Sequence, residues 1–291
     1  MTTSSNLVAE VNAEAVMKTE GLLDQPNGRL ARVAVVSLFV LIAMAVTLLG
    51  VQGVHGGFKE TQQITAAFGV SFWSNATVLG DFRMLLALML PVSLRYPRIF
   101  LSFLVASLIA GLAVRGLKLA FHLPRPIQLL GSDAMTIIGI PRAGKSFPSS
   151  HAALVAAFIM VWVGQLNWKK MLPMLACALA VGLARVAVGA HWPIDVLVGA
   201  MVGIVAAWVA SSIANFANAY FSPLIRHLVA VLAVLAVASL AFDSLGYPEA
   251  LLLRCLILGI GVAGYFTVYI LPALTRSEAG SENKQGNGLD A

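Results

Sequence analysis

Eight long apolar runs constrain this chain before any single residue is considered. They lie at about 33–52, 76–94, 99–121, 149–167, 171–190, 194–217, 225–243 and 249–271. Each approaches the roughly 20 residues that a helix needs to cross a bilayer core. Backbone inside hydrocarbon must satisfy its own hydrogen bonds, so runs of this length read as helices. Only 11% of the residues are charged and 59% are hydrophobic, whereas a soluble domain carries about 25% charged residues. Too few charges remain to coat a water-facing globule. The expected fold is all-α, a polytopic membrane bundle of about eight transmembrane helices. An ordinary cytosolic enzyme and a disordered chain are excluded. The net charge of +6 is scattered rather than striped, so no nucleic-acid partner is expected.

The second run is the weakest, because it contains Asp81, Arg83 and Pro91. The intervals 95–98 and 168–170 are short enough for tight helical hairpins. No basic segment of signal-peptide type precedes the first run, which reads as a retained helix. Cys177 and Cys255 lie within apolar runs and read as small packing residues. Two cysteines make neither a disulfide framework nor a four-ligand zinc site. Arg29, Arg32, Arg95, Arg98, Lys169, Lys170, Arg226 and Arg276 collect on one face of the bundle. That face is read as cytoplasmic, with both termini on it.

Polar residues inside membrane spans are costly and call for a reason. The unusual ones gather in three segments: KLAFHLPRP from Lys118 to Pro126, FPSSH from Phe147 to His151, and ARVAVGAHWPID from Ala184 to Asp195. By the run count, all three fall on the same side of the membrane. Lys118, Arg125 and Arg185 are cations with few acids nearby, and a bound anion is their natural partner. Arginine presents a planar fork suited to phosphate oxygens. Ser149 and Ser150 stand where a helix begins, and its free N–H groups and dipole favour an anion. His191 and Asp195 are one helical turn apart, so the carboxylate can hold one ring nitrogen while the other attacks phosphorus. His151 is then placed to protonate the leaving oxygen. Such a site needs no metal, and the ligand sets of zinc or magnesium are missing from it.

The patterns K-x6-R-P, P-S-x-H and R-x5-H-x3-D resemble those of the type 2 phosphatidic acid phosphatase superfamily. The matching residues are Lys118, Arg125 and Pro126, then Pro148, Ser149 and His151, then Arg185, His191 and Asp195. Order and spacing both fit. The resemblance implies a six-helix membrane phosphatase core and a phosphohistidine on His191. It implies His151 as general acid and then as the base that activates water. It also implies that Lys118, Arg125, Ser149, Arg185 and a backbone N–H near Ser150 hold the phosphate, with no cofactor. The chain departs from the family pattern at Ser150, usually glycine, and at Ala184, usually serine.

On this reading residues 1–28 are a polar tail with a weak helix near Leu7–Leu23. Residues 29–220 are the phosphatase core, 221–275 two additional helices, and 276–291 a disordered tail. The expected activity is hydrolysis of a terminal lipid phosphate or diphosphate, such as undecaprenyl diphosphate, lipid A or phosphatidate. The alternative is transfer of the phosphoryl group to an acceptor lipid. The expected partners are the bilayer and that lipid, and the setting is a bacterial inner membrane with the site facing outward. Oligomeric state is not readable from the sequence.

Other residues carry weaker signals. Asp81 and Arg83 read as structural charge partners, with Arg115 among the candidates for Asp81. Arg142 and Lys145 lie in the long 122–148 loop, either solvated or recruiting an anionic headgroup. Arg254 reads as a snorkelling anchor. His55, His122 and His227 read as interfacial. Trp73, Trp162, Trp168 and Trp192 read as belt residues, with Trp192 also a wall of the site. Gly182, Gly189, Gly199 and Gly203 point to close helix packing. Asn75-Ala76-Thr77 matches a glycosylation sequon beside a span.

Overall fold

A computed structural model describes residues 26–220 and 223–271. The 1–25 and 276–291 tails, including the helix expected near Leu7–Leu23, lie outside the described residues. The elements are all helical: α1 (Pro26–Gln52), α2 (Phe58–Thr65), α3 (Gly69–Val78), α4 (Phe82–Met89), α5 (Pro97–Phe121), α6 (Pro126–Leu130), α7 (Ser150–Met160), α8 (Trp168–Ala187), α9 (Pro193–Tyr220), α10 (Pro223–Ala238) and α11 (Leu251–Tyr265), with short 3-10 turns between some of them.

Five described helices are long and apolar enough to cross a membrane: Gly28–Gln52, Pro97–Phe121, Trp168–Ala187, Pro193–Ala214 and Pro248–Ile270. They correspond to five of the eight apolar runs. The other three differ from expectation. The run at 76–94 is not one helix. Phe58–Val78 and Phe82–Val92 meet at a bend of 64°, where Asp81 accepts from the Arg83 N–H at 2.9 Å and starts a new helix. An aspartate competes for backbone donors and so favours a cap over a helix interior. The runs at 149–167 and 225–243 hold the shorter apolar helices Ser150–Met160 and His227–Ala241. The former ends early in a turn through Gly164, whose φ is +90°, and Asn167 then caps α8 by accepting from the Lys170 N–H. The 168–170 interval is therefore helix, and the connection is 161–167.

Helix α9 is the hub, packed against α1, α5 and α7. Two of the flagged glycines make that approach possible. A Cβ at Gly199 would stand 2.4 Å from the Ser149 carbonyl oxygen, and one at Gly203 would stand 2.0 Å from that of Ala153. The backbones of α7 and α9 thus meet directly, as small residues permit in membrane bundles. Helices α10 and α11 pack on α4, and the turn before α11 packs on α3. The outer faces stay apolar: Phe39, Leu232 and Leu252 are 71%, 64% and 82% exposed. Large apolar patches of this kind mark a lipid-facing surface.

Several residues sit differently from the sequence reading. Cys177 and Cys255 are exposed on outer helix faces rather than packed inside. Arg254 is buried, with Nε and Nη1 unpartnered, and does not snorkel outward. Trp73 is buried and donates from Nε1 to the Thr65 carbonyl at 2.7 Å. Of the four tryptophans expected in the belt, Trp168 alone is openly exposed, at 65%. Asn75 lies within α3, and Thr77 of the same sequon is fully buried.

Candidate active site

The three motifs converge at one end of the bundle. Asp195 stands in the first turn of α9, one turn after His191. The connection from α8 reverses sharply at Gly189, whose φ of +77° suits glycine. The Ala190 and His191 N–H groups return to the Arg185 carbonyl at 3.1 Å. Beside this turn, Gln62 of α2 donates to the Thr136 carbonyl at 2.8 Å and accepts from the Thr136 N–H at 2.9 Å. The 122–148 loop is thereby fastened over the end of α8.

His191 is buried, and its Nδ1 lies 3.1 Å from Asp195 Oδ2. With the Nδ1 proton donated to that carboxylate, Nε2 carries the lone pair and has no hydrogen-bond partner among the described residues. Asp195 Oδ2 also accepts from the Trp192 N–H at 3.0 Å and from the Ser146 hydroxyl. Burial, then the charges of Arg185, Arg125 and Lys118, hold the His191 imidazole well below its ordinary value of 6.5. The ring is neutral, as a nucleophile requires. Trp192 completes the wall: it is buried, its Nε1 donates to the Pro124 carbonyl at 2.9 Å, and His55 stacks against it with ring centroids 4.3 Å apart.

The cations are anchored by neutral groups, so their charge stays available. Lys118 Nζ donates to the Lys145 and Ser146 carbonyls, each at 2.9 Å. Arg125 Nη1 donates to the Ala190 carbonyl at 2.9 Å. Arg185 is buried and donates from Nη1 to the Thr77 hydroxyl. No carboxylate lies in salt-bridge contact with any of the three among the described residues. Arg125 Nε and Arg185 Nε are buried and unpartnered, an expensive state that a bound anion relieves. Burial and the neighbouring Arg185 and Arg142 push the Arg125 guanidinium down to about 10, still charged at neutral pH.

Ser149 caps α7. It is fully buried, accepts from the Ala152 N–H at 3.5 Å, and its own N–H donates to the Asp195 carbonyl at 2.9 Å. The next N–H groups, of Ser150 and His151, have no acceptor among the described residues, as expected in the first turn of a helix. His151 is held closely from behind: a Cβ at Gly80 would stand 2.9 Å from the His151 Cβ. The bend at 79–81 thus seats one of the two histidines. All eight residues expected at the site, Lys118, Arg125, Ser149, Ser150, His151, Arg185, His191 and Asp195, sit around this one end of the bundle. Arg115 does not join them. It is exposed, and Asp81 pairs instead with Arg83 at 3.3 Å, which in turn reaches Asp243 at 2.7 Å. Ser146, Thr77, Gly80 and Tyr247 belong to the site but escaped the sequence reading.

Part of the chain is similar to known proteins. Residues 99–219 match the PAP2 superfamily. Two curated relatives are similar over 96 residues: a lipid A 1-phosphatase of Rhizobium etli at 35% identity, and one of Rhizobium johnstonii at 34%. Each alignment covers 32% of this chain, and 41% and 39% of the relatives respectively. The chain thus spans about two fifths of the length of the relatives it matches. Among solved structures, the crystal structure of Aquifex aeolicus LpxE aligns at 23% identity with a TM-score of 0.47, covering 53% of this chain and 92% of that one. The matched residues 99–219 contain all three motifs and exclude α10 and α11.

Proposed function

We propose that this protein is an integral-membrane lipid phosphatase that removes a terminal phosphate from a lipid phosphate or diphosphate through a phosphohistidine on His191. The observation that carries the reading is the buried His191–Asp195 pair beside Lys118, Arg125 and Arg185, none of which has a carboxylate in salt-bridge contact among the described residues. In this mechanism Asp195 and Ser146 fix the ring, and Lys118, Arg125, Arg185 and the Ser149–Ser150 turn hold the phosphate oxygens. As negative charge shifts onto those oxygens in the transition state, fixed donors in a water-poor pocket stabilise it without reorganising. Nε2 attacks phosphorus while His151 gives a proton to the leaving oxygen. His151 then takes a proton from the water that cleaves the P–N bond.

The mechanism as proposed uses no metal. The site lies at the membrane–water boundary of a bacterial inner membrane, on the outward face, with both termini cytoplasmic. A lipid tail remains in the bilayer while its headgroup reaches the cations. Lipid A phosphates, undecaprenyl diphosphate and phosphatidate all present a phosphate at this depth. The names of the two Rhizobium relatives favour a lipid A phosphate as the first to test.

The experiment is phosphate release from a panel of these lipids by purified protein, with and without EDTA, against His191→Ala. The proposal expects release that survives chelator and is lost in the variant. Unchanged release by His191→Ala would overturn the mechanism, and loss with EDTA would overturn the metal-free site.

A further inference from the structure

Arg185 is only 1% exposed, and its own helix gives the guanidinium nothing to hold. Val181, Ala184, Val186 and Ala187, around it on α8, are all buried and apolar. Its anchors come from elsewhere. Nη1 donates to the Thr77 hydroxyl on α3. Tyr247, in the connection between α10 and α11, turns its hydroxyl toward the same guanidinium. Both anchors lie outside residues 99–219, the part of the chain that matches the superfamily. Arg185 Nε stays buried and unpartnered.

One face of α3 sets both hydroxyls. Ser74 and Thr77 are three residues apart, so they share that face, and both are fully buried. The Ser74 hydroxyl donates to Glu249 Oε2 at 3.2 Å, which seats the 247–249 turn on α3. Tyr247 is 3% exposed. Its N–H donates to the Ser244 carbonyl at 3.0 Å and its carbonyl accepts from the Ala250 N–H at 3.1 Å. The 122–148 loop presses on it from another side. Arg142 donates to the Leu245 carbonyl at 3.1 Å, and the Ile140 N–H to that of Gly246 at 3.3 Å. A Cβ at Gly139 would stand 2.6 Å from the Tyr247 ring, so the ring has no slack. Tyr247 and His151 line one cleft of about 410 Å³, which places the ring at the border of the active site.

A guanidinium carries five N–H donors in one plane. A single anchor leaves that plane free to swing about the terminal bonds of the side chain, whereas two anchors on different elements fix it. Both anchors here are neutral. A carboxylate in their place would cancel the charge that a phosphate needs, but a hydroxyl accepts from an N–H and leaves the charge in place. The remaining donors, Nε among them, are left for phosphate oxygens. We propose that Tyr247 is a positioning residue: together with Thr77 it fixes the plane of the Arg185 guanidinium for the phosphoryl oxygens, and the α10–α11 pair thereby completes the catalytic site. The inference rests on the phosphatase reading above. Tyr247 makes and breaks no bond in the reaction, and its hydroxyl keeps its proton.

The test measures phosphate release from lipid A and from phosphatidate, in the same detergent micelles, by wild type, Tyr247→Phe, Arg185→Lys and the double variant. Phenylalanine keeps the ring against Gly139 and removes only the oxygen. Tyr247→Phe is expected to lower kcat/KM by about tenfold or more. It is also expected to weaken inhibition by orthovanadate, which adopts the five-coordinate geometry of the transition state, more than inhibition by inorganic phosphate. In the Arg185→Lys background no guanidinium plane is left to fix, and the same change should alter kcat/KM by less than about twofold. A ring that only packs would cost the same factor in both backgrounds and would weaken both inhibitors alike. A Tyr247→Phe rate within about twofold of wild type, or equal factors in the two backgrounds, overturns the positioning role and leaves the phosphatase reading intact. Where Arg185→Lys turns over too slowly to measure, the inhibitors decide, and equal weakening of the two overturns the role. A wild-type protein that releases phosphate from neither lipid overturns both.

Discussion

Replacing Ser146 by alanine tests whether a residue outside the three motifs holds the nucleophile. Ser146 is fully buried. Its hydroxyl donates to Asp195 Oδ2 and lies 3.4 Å from His191 Nδ1. Asp195 Oδ2 has two other donors, His191 Nδ1 and the Trp192 N–H, while Oδ1 is buried and unpartnered. The alanine variant therefore removes one of three donors and leaves the carboxylate less constrained. A hydrogen bond to a charged group contributes about 1.5–3 kcal/mol. At roughly 1.4 kcal/mol per factor of ten, full expression of that loss in the transition state lowers kcat/KM by roughly 10- to 150-fold. Removal of one oxygen opens almost no cavity, so thermal unfolding in detergent should shift only modestly. The assay is phosphate release from micellar lipid phosphate, with an unfolding curve for each protein. A kcat/KM within twofold of wild type, in a folded variant, would refute the claim that Ser146 orients the His191–Asp195 pair.

Three further outcomes are expected. Gly203→Ala places a methyl against the Ala153 backbone at 2.0 Å and should destabilise the bundle by about 1–3 kcal/mol; Gly111→Ala, where nothing lies within 4 Å, should be neutral or slightly stabilising in the same unfolding assay. Gly80→Ala pushes on Val181 at 2.8 Å and on His151 at 2.9 Å. It should lower kcat by tenfold or more with a smaller change in KM, since small misplacements of catalytic groups are costly. His191 has a folded-state value below the 6.5 of the unfolded chain, so the unfolded chain binds more protons between the two. Its neutral burial therefore costs nothing above about pH 6.5, and stability falls as pH drops from there toward the folded value. Ring NMR of the phosphate-free protein should show His191 still neutral below pH 6.5, and titration at or above 6.5 would contradict the burial argument.

The site was legible in the sequence because its chemistry is carried by local spacing. His191 and Asp195 are one turn apart in any helix start, and P-S-S-H announces a cap followed by a histidine. Lys118 and Arg125 are two cations seven positions apart at the end of an apolar run, where charge in lipid is costly. The weakness of the second run was also legible, and the bend falls at Asp81, the residue that made the run weak. What stayed hidden depends on contacts between distant segments. Thr77 reaches Arg185 across 108 positions and Ser146 reaches Asp195 across 49. Nothing local distinguishes either from an ordinary hydroxyl. Arg83 likewise finds Asp243 rather than any nearer acid alone, because α10 and α11 fold back on α4. Burial of Arg254 follows from that same docking, and Trp73 is buried where it contacts Thr65, Phe68 and Phe72, whereas position in a run had suggested the interface.

The most direct test of the central claim is trapping of the phosphorylated protein under alkaline conditions. Purified protein is mixed with lipid phosphate, quenched within a turnover, and digested under alkaline conditions that preserve phosphohistidine, with the modified residue located by mass spectrometry. The account predicts phosphate on His191, absent from His191→Ala. Phosphate on another residue, or turnover by His191→Ala at the wild-type rate, would contradict it.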